Sequence, residues 1–255
     1  MPYLVCIVPV SPMRLEPLHR SEQVSQLLFG DVVEIIEHSK DFIKVKYLYD
    51  DYEGWCQRSQ LEEIGLEQFS GKPEMLTEKY INEVMVNGQA MHIPFGCSLG
   101  SLHKGPGNWG QYSVEYKATL WNPAKHHDDP HTIRDIAMKY LNTAYQWGGR
   151  SVFGVDCSGF CQMVFRFAGI PLLRDAYQQA SQGEAIGFLQ EVRCGDLAFF
   201  DNEEGRITHV GILLDTSSII HSSGRVRIDT IDHEGIISSN TGLRTHRLRV
   251  IKRII

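Results

Sequence analysis

The sequence predicts an α+β protein: two small β-barrels, followed by a domain in which helices come first and strands second. Three observations carry this. Residues 1 to about 124 hold many short strand-like runs punctuated by Gly, Pro, Asn and Asp at close spacing. The clearest amphipathic helical stripe in the chain begins at Thr132. Beyond about residue 195 the pattern returns to strands. The breaks in pattern divide the chain into 1–68, 69–124 and 125–255.

In the first segment, Met1 to Val10 reads as an opening strand. Asp31–Glu37 and Phe42–Tyr47 are half-buried strands joined by the turn Ser39-Lys40-Asp41, and the polar turn Asp50 to Glu53 feeds a further strand at Gly54-Trp55-Cys56. A break at Phe69-Ser70-Gly71-Lys72-Pro73 opens the second segment. Its strands are Ile81–Val86, Gln89–Ile93 and Tyr112–Leu120, with turns at Asn87-Gly88 and Gly105-Pro106-Gly107-Asn108. His126-His127-Asp128-Asp129 reads as a linker.

In the third segment, Thr132 caps a helix with an acid three residues later, and Ile133, Ile136, Ala137, Tyr140, Leu141 and Ala144 form its apolar stripe. Trp147-Gly148-Gly149-Arg150 ends it. Cys157 to Ala168 is apolar on nearly every side, the mark of a buried helix, and Gly169 and Pro171 stop it. A short helix follows over Ala176–Gln182, capped by Asp175. Strands come next at Asp196–Phe200, His209–Leu214, Ile219–His221, Val226–Ile228 and His246–Ile251.

Bulk properties narrow the function. The chain has 255 residues, 42% of them hydrophobic, and a formal charge of −6. That balance gives a folded chain with no basic surface for nucleic acid. No apolar run approaches the ~18 residues of a membrane span. The N-terminus has no basic segment before its apolar run, and Pro9 and Pro12 interrupt that run. A cytoplasmic location is therefore expected, or a periplasmic one if a leader has been removed. Six scattered cysteines without a paired C-x-x-C suit a reducing compartment and make no metal site.

The chemistry centres on Cys157. It follows Asp156 in what reads as the first turn of a helix, where free N–H groups and the helix dipole favour a thiolate and an oxyanion. Ser158-Gly159 keeps side chains small where a substrate backbone would approach. A buried core cysteine, like Cys161 beside it, is the competing explanation. His209 and His221 lie twelve residues apart in strand-like runs. On adjacent antiparallel strands they would share one face, a base and the group that orients it. Two satisfied core histidines are the alternative.

Five blocks then occur in order: Tyr145-x-Trp147-Gly148-Gly149, Asp156-Cys157-Ser158-Gly159-Phe160, Gly195-Asp196-Leu197-Ala198-Phe199-Phe200, His209-Val210-Gly211-Ile212 and Ile220-His221. Over about residues 130–255 this resembles the NlpC-type cysteine peptidases of bacterial cell-wall peptides, whose core is a minimal papain-like fold. The resemblance implies Cys157 as nucleophile, His209 as base and His221 as its orienting partner. It also sets Tyr145, Trp147, Asp156 and Ser158 on the substrate side. The whole chain resembles a narrower group, the γ-D-glutamyl-L-diamino acid endopeptidases or dipeptidyl-peptidase VI, which carry SH3-like barrels before the peptidase domain. Phe29-Gly30-Asp31 and Gly54-Trp55 are the barrel marks. In that group an acid matching Asp175 binds the free amine of an N-terminal L-Ala. The family's following Ser is Ala176 here, which removes one hydrogen bond to that amine. A barrel carboxylate completes the specificity, with Asp50, Asp51 and Glu53 as the nearest matches.

The resemblance thus implies an endopeptidase that cuts γ-D-glutamyl–diamino acid bonds in murein peptides (L-Ala-γ-D-Glu-diamino acid) and releases L-Ala-D-Glu during wall-peptide recycling. No metal, cofactor, nucleic acid, membrane or obligatory protein partner is implied. Two alternatives stand beside it: a peptidoglycan hydrolase or amidase acting on intact wall, and a non-catalytic module that binds wall peptides.

Overall fold

The computed structural model describes residues 3–127 and 131–254. Asp128 and Asp129 of the expected linker, and Met1 and Pro2, lie outside the described residues. The chain divides into two compact units, one of Met1–His127 with Trp147–Phe153, the other of Asp128–Gln146 with Gly154–Ile255. Among the described residues no helix is long and apolar enough to cross a membrane.

In the first unit, strands β1 (Tyr3–Cys6), β2 (Val10–Arg14), β3 (Gln23–Leu28), β4 (Val32–His38), β5 (Phe42–Tyr47), β6 (Glu53–Gln57) and β7 (Leu61–Ile64) form one antiparallel sheet, ordered β3-β2-β6-β5-β4-β1-β7. The period-two pattern explains it. Phe42, Ile43, Val45 and Tyr47 of β5 are buried, while Lys44 and Lys46 turn toward Glu53 and Glu34. Leu4, Met13, Leu27, Val33, Val45 and Cys56 share the core.

Next come β8 (Leu76–Thr77), β9 (Ile81–Val86), β10 (Gln89–Pro94), β11 (Gly107–Trp109), β12 (Tyr112–Glu115) and β13 (Leu120–Trp121). They make a four-stranded sheet, β10-β9-β12-β11, and the pair β13-β8. The single strand expected over 112–120 is therefore two. The chain leaves the sheet after Glu115, the Tyr116 hydroxyl donates to Asn82 at 2.9 Å, and Leu120 crosses to pair with Thr77.

The same unit holds residues 147–153, including β14 (Arg150–Ser151). Arg150 is fully buried. Its guanidinium donates to the Gln26 carbonyl at 2.8 Å, lies 3.5 Å from Asp31 and sits 4.9 Å over the Tyr47 ring. Gly148 adopts φ +70°, and an added Cβ would fall 2.5 Å from the Gln23 carbonyl oxygen, so the approach to β3 requires glycine there.

In the second unit, α1 spans Thr132–Lys139. The expected cap and length are both corrected. His131 holds the N-cap position, Thr132 is buried within the first turn, and the helix stops short of the predicted stripe's end. Residues 142–145 exchange helical bonds for sheet-like ones. The Asn142 N–H donates to the Val226 carbonyl (2.8 Å) and the Tyr145 N–H to the Gly224 carbonyl (2.9 Å), with Asn142 itself at φ +70°. Tyr140 is nonetheless buried, edge-on to Phe160.

After β15 (Gly154–Val155) comes α2 (Cys157–Phe167), buried along its whole length as its sequence predicts. α3 (Ala176–Gln179) is shorter than expected: the backbone after it tightens into turns, the Ser181 N–H donating to the Gln178 carbonyl and the Gln182 N–H to the Gln179 carbonyl, and the Gln182 side chain bonds the Leu173 N–H (2.9 Å) and the Pro171 carbonyl (3.2 Å). The remaining strands are β16 (Glu184–Ile186), β17 (Leu197–Asp201), β18 (Ile207–Leu213), β19 (Ser218–Ser223), β20 (Arg225–Asp232), β21 (Gly235–Ile237) and β22 (Arg244–Arg253). Their order is β16-β22-β17-β18-β19-β20-β21, and β21 also pairs with the long β22, which closes six strands into a ring. α2 packs on β18 and β19.

Candidate active site

Asp156 is the N-cap of α2, its Oδ1 accepting the Gly159 N–H at 2.6 Å. This sets Cys157 at the first position of the helix, 7% exposed. Arg174 grips both oxygens of Asp156, at 3.1 and 2.6 Å, and donates to the Ser158 hydroxyl at 3.0 Å. The side chains of Asp156 and Ser158 are thus engaged in fixing the start of α2. Gln179 adds a bond from its amide to the Ser158 carbonyl (3.0 Å), joining α3 to the same turn.

The sulfur of Cys157 lies against the Val210 and Ser158 N–H groups. Val210 directly follows His209, so the nucleophile candidate meets β18 at its histidine. Burial pushes the Cys157 thiol up to about 12, and the Asp156 carboxylate adds to this. The two N–H groups and Arg174 act the other way. Burial of the sulfur thus opposes the helix N-terminus, which by itself favours a thiolate.

His209 and His221 come from adjacent antiparallel strands, as the sequence suggested, and are 6% and 0% exposed. His209 Nε2 lies 2.8 Å from His221 Nδ1. Their meeting is diagonal, since His221 is directly opposite Gly211. A Cβ on Gly211 would stand 2.8 Å from both the His221 Cβ and the Ile219 Cδ1, so the glycine makes the space the imidazole uses. Burial drives the pKa of His209 well below the ordinary histidine range, helped by its neighbours His221, His246 and Arg227.

Two further residues had no signal in the sequence. Asp229, on β20, accepts a hydrogen bond from His221 Nε2 at 3.0 Å. His246, on β22, stacks on His209 with ring centroids 4.2 Å apart, and burial takes its pKa down to about 4. Both lie in strands whose alternation looked wholly structural. Strand order brings both to this end: β20 is the hairpin partner of β19, and β22 pairs with β17, the neighbour of β18.

Tyr145 is half-buried beside Cys157. Burial, then the negative charges of a Cys157 thiolate and Asp156, push its phenol up to about 12. Asp175 opens α3, its N–H donating to the Gln178 side chain at 3.0 Å. Four of the sequence-predicted residues belong to the first unit. The Trp147 indole donates to Glu22 at 2.6 Å. Asp51, at φ 58°, lies 3.6 Å from Lys46, and Glu53 lies 2.9 Å from Lys44. Asp50 accepts the Tyr52 N–H at 3.1 Å.

An enclosed thiol at a helix N-terminus, beside the first of two linked imidazoles that end on a carboxylate, is equipped for nucleophilic acyl transfer. The chain is also similar to known proteins. Residues 142–245 match the NlpC/P60 family, and residues 13–61 match the bacterial dipeptidyl-peptidase Sh3 domain. Dipeptidyl-peptidase 6 of Lysinibacillus sphaericus is 25% identical over 260 residues, covering 90% of this chain and 92% of that protein. Gamma-D-glutamyl-L-lysine dipeptidyl-peptidase of Bacillus subtilis is 42% identical over 96 residues, which is 36% of this chain and 32% of that protein. A solved NlpC/P60 family protein from Bacillus cereus superposes with a TM-score of 0.77 at 19% identity, covering 99% of each chain, and so shares the fold.

Proposed function

Residues 142–245 are an NlpC/P60 domain, with a bacterial dipeptidyl-peptidase SH3 domain ahead of it, and on that premise we propose that the chain is a cysteine peptidase of cell-wall peptides. The observation that carries the reading is the linked pair His209–His221, with the buried Cys157 held against the backbone N–H of Val210, the residue that follows His209. Cys157 attacks the scissile carbonyl carbon as its thiol proton passes to His209. The S–C bond forms, the C–N bond breaks, and His209 returns the proton to the leaving amine. Water, deprotonated by His209, then cleaves the thioester. The N–H groups at the start of α2 receive the oxyanion, with the Tyr145 hydroxyl beside them.

The substrate we infer is L-Ala-γ-D-Glu-diamino acid with a free amine, cut at the γ-D-glutamyl bond to release L-Ala-D-Glu. Similarity to proteins named dipeptidyl-peptidase supports it. Asp175, at the mouth of α3, is the carboxylate assigned to the ammonium group. A free L-Ala amine exists only after the stem peptide has been severed from its sugar, so the reaction belongs to recycling of released peptides, for which a cytoplasmic location is suited. Hydrolysis of the free tripeptide, its N-acetyl form and intact peptidoglycan tests this. Turnover of the free tripeptide alone, abolished in Cys157→Ala, is the expected result. Equal turnover of the N-acetyl form or of intact wall would replace this substrate with peptidoglycan itself, and activity surviving Cys157→Ala would remove the mechanism.

A further inference from the structure

Asp229 lies outside every sequence block that pointed to chemistry, yet its carboxylate is fully engaged. Oδ2 accepts from His221 Nε2 at 3.0 Å and from Arg227 Nε at 2.9 Å. Oδ1 accepts from the Ser239 N–H at 2.9 Å and the Ser239 hydroxyl at 2.7 Å. An ionised carboxylate has about four acceptor sites, and four donors occupy them. The group is 2% exposed. Burial alone would raise its pKa, but the bonds from His221 and Ser239 hold it well below the usual carboxylate range.

The proton order of both histidines follows. A group that can only accept requires an N–H on His221 Nε2. In the neutral ring that leaves Nδ1 bare, as an acceptor. Nδ1 stands 2.8 Å from His209 Nε2, so His209 carries its proton on Nε2. The lone pair of His209 is then on Nδ1, the nitrogen left to take a proton from Cys157. We propose that Asp229 is a positioning residue that sets this tautomer order through His221, and that the Arg227 and Ser239 donors keep it ionised and fixed. This rests on the reading of Cys157 and His209 as the catalytic pair.

The groups that face the relay come from four strands and a loop. His221 is on β19, Arg227 and Asp229 on β20, His246 and the Phe200 ring stand against His209 from β22 and β17, and Ser239 follows β21. Asp229 is the one anion among them. A proton moving onto His209 Nδ1 makes an imidazolium whose Nε2–H points to His221, and the relay ends on that charge.

The decisive measurement is long-range ¹⁵N–¹H correlation of the imidazoles in the intact protein at neutral pH, assigned with His209→Gln and His221→Gln. Nε2–H on both rings is expected; Nδ1–H on His221 overturns the proposal, whether or not any variant folds. The second measurement is the pH profile of Asp229→Asn. This change keeps the shape and removes the charge and the acceptor-only constraint. A fall in kcat/KM of about 10²–10⁴-fold at neutral pH is expected, the scale of a histidine held in the wrong tautomer. The wild-type plateau should give way to activity that climbs with pH as hydroxide, not His209, ionises the thiol. A folded Asp229→Asn protein with the wild-type profile and less than about a 10-fold loss, below the usual range for general base catalysis, overturns it. Cys157→Ala separates the two ideas: activity there removes the catalytic reading, while an inactive Cys157→Ala beside a fully active Asp229→Asn removes this inference alone.

Discussion

His209 and His221 do not sit opposite one another across their strands; they meet on the diagonal, Nε2 to Nδ1 at 2.8 Å, because Gly211 holds the opposing position. The contact depends on each ring keeping its angle. His209→Ala should lower kcat/KM by about 10²–10⁴-fold, the span of a lost general base. His221→Ala should lower it less, with kcat carrying the loss, because His209 keeps its place beside Val210. Steady-state kinetics of the two variants against wild type measure the order. A His221 variant as impaired as His209→Ala would make the second ring an equal participant.

Gly211→Ala tests the space between them. The new Cβ would meet the His221 Cβ and Ile219 Cδ1 at 2.8 Å, inside contact distance with a strand on either side. Overpacking of this kind costs about 1–3 kcal/mol. Activity should fall much further than the thermal midpoint suggests, since His221 must yield. Parallel assays of melting and turnover would show it.

The acid side of the pH profile follows from burial. His209 and His221 are both lowered from 6.5, and His246 is brought down to about 4. The base therefore stays neutral below the usual histidine range, and the acid limb of kcat/KM should lie below pH 6.5. Stability carries the same sign. Folded, these rings bind protons less readily than unfolded, so the unfolded chain gains protons first as pH falls. Stability should be full above about pH 6.5 and decline as pH drops from there toward 4. Thermal midpoints between pH 8 and 4 check this; a midpoint that rises on acidification contradicts it.

Arg174 carries the last expectation. Its bidentate grip on Asp156 is almost wholly buried. Arg174→Met leaves an enclosed carboxylate without its partner, a loss of about 3–5 kcal/mol. The start of α2 should loosen, lowering kcat as well as stability. Removing both partners, as Asp156→Asn with Arg174→Met, should recover part of the stability without the activity. Calorimetry of the single and double variants measures the recovery.

Much of the fold was legible because burial writes itself into period. β5 and β9 match their predicted ranges, and α2, apolar all round, is buried throughout. Where long-range pairing competed with local pattern, the pattern lost. The stripe from Ile133 to Ala144 looks like one helix, yet residues 142–145 bond across to Gly224 and Val226. Tyr116 leaves its strand for Asn82 in the same way.

The site divides along the same line. The sequence by itself determined the thiol, the two histidines and their ordered blocks, because a nucleophile needs a particular element and leaves a local signature. Only the tertiary structure decided what those groups are in the folded protein. Enclosure pushes the Cys157 thiol up, against the N–H groups that face its sulfur. Strand pairing brought Asp229 from the adjoining hairpin strand, and His246 from the far end of the domain, against the imidazoles. Desolvation and strand register are properties of the packed whole, and no local stretch of sequence encodes either.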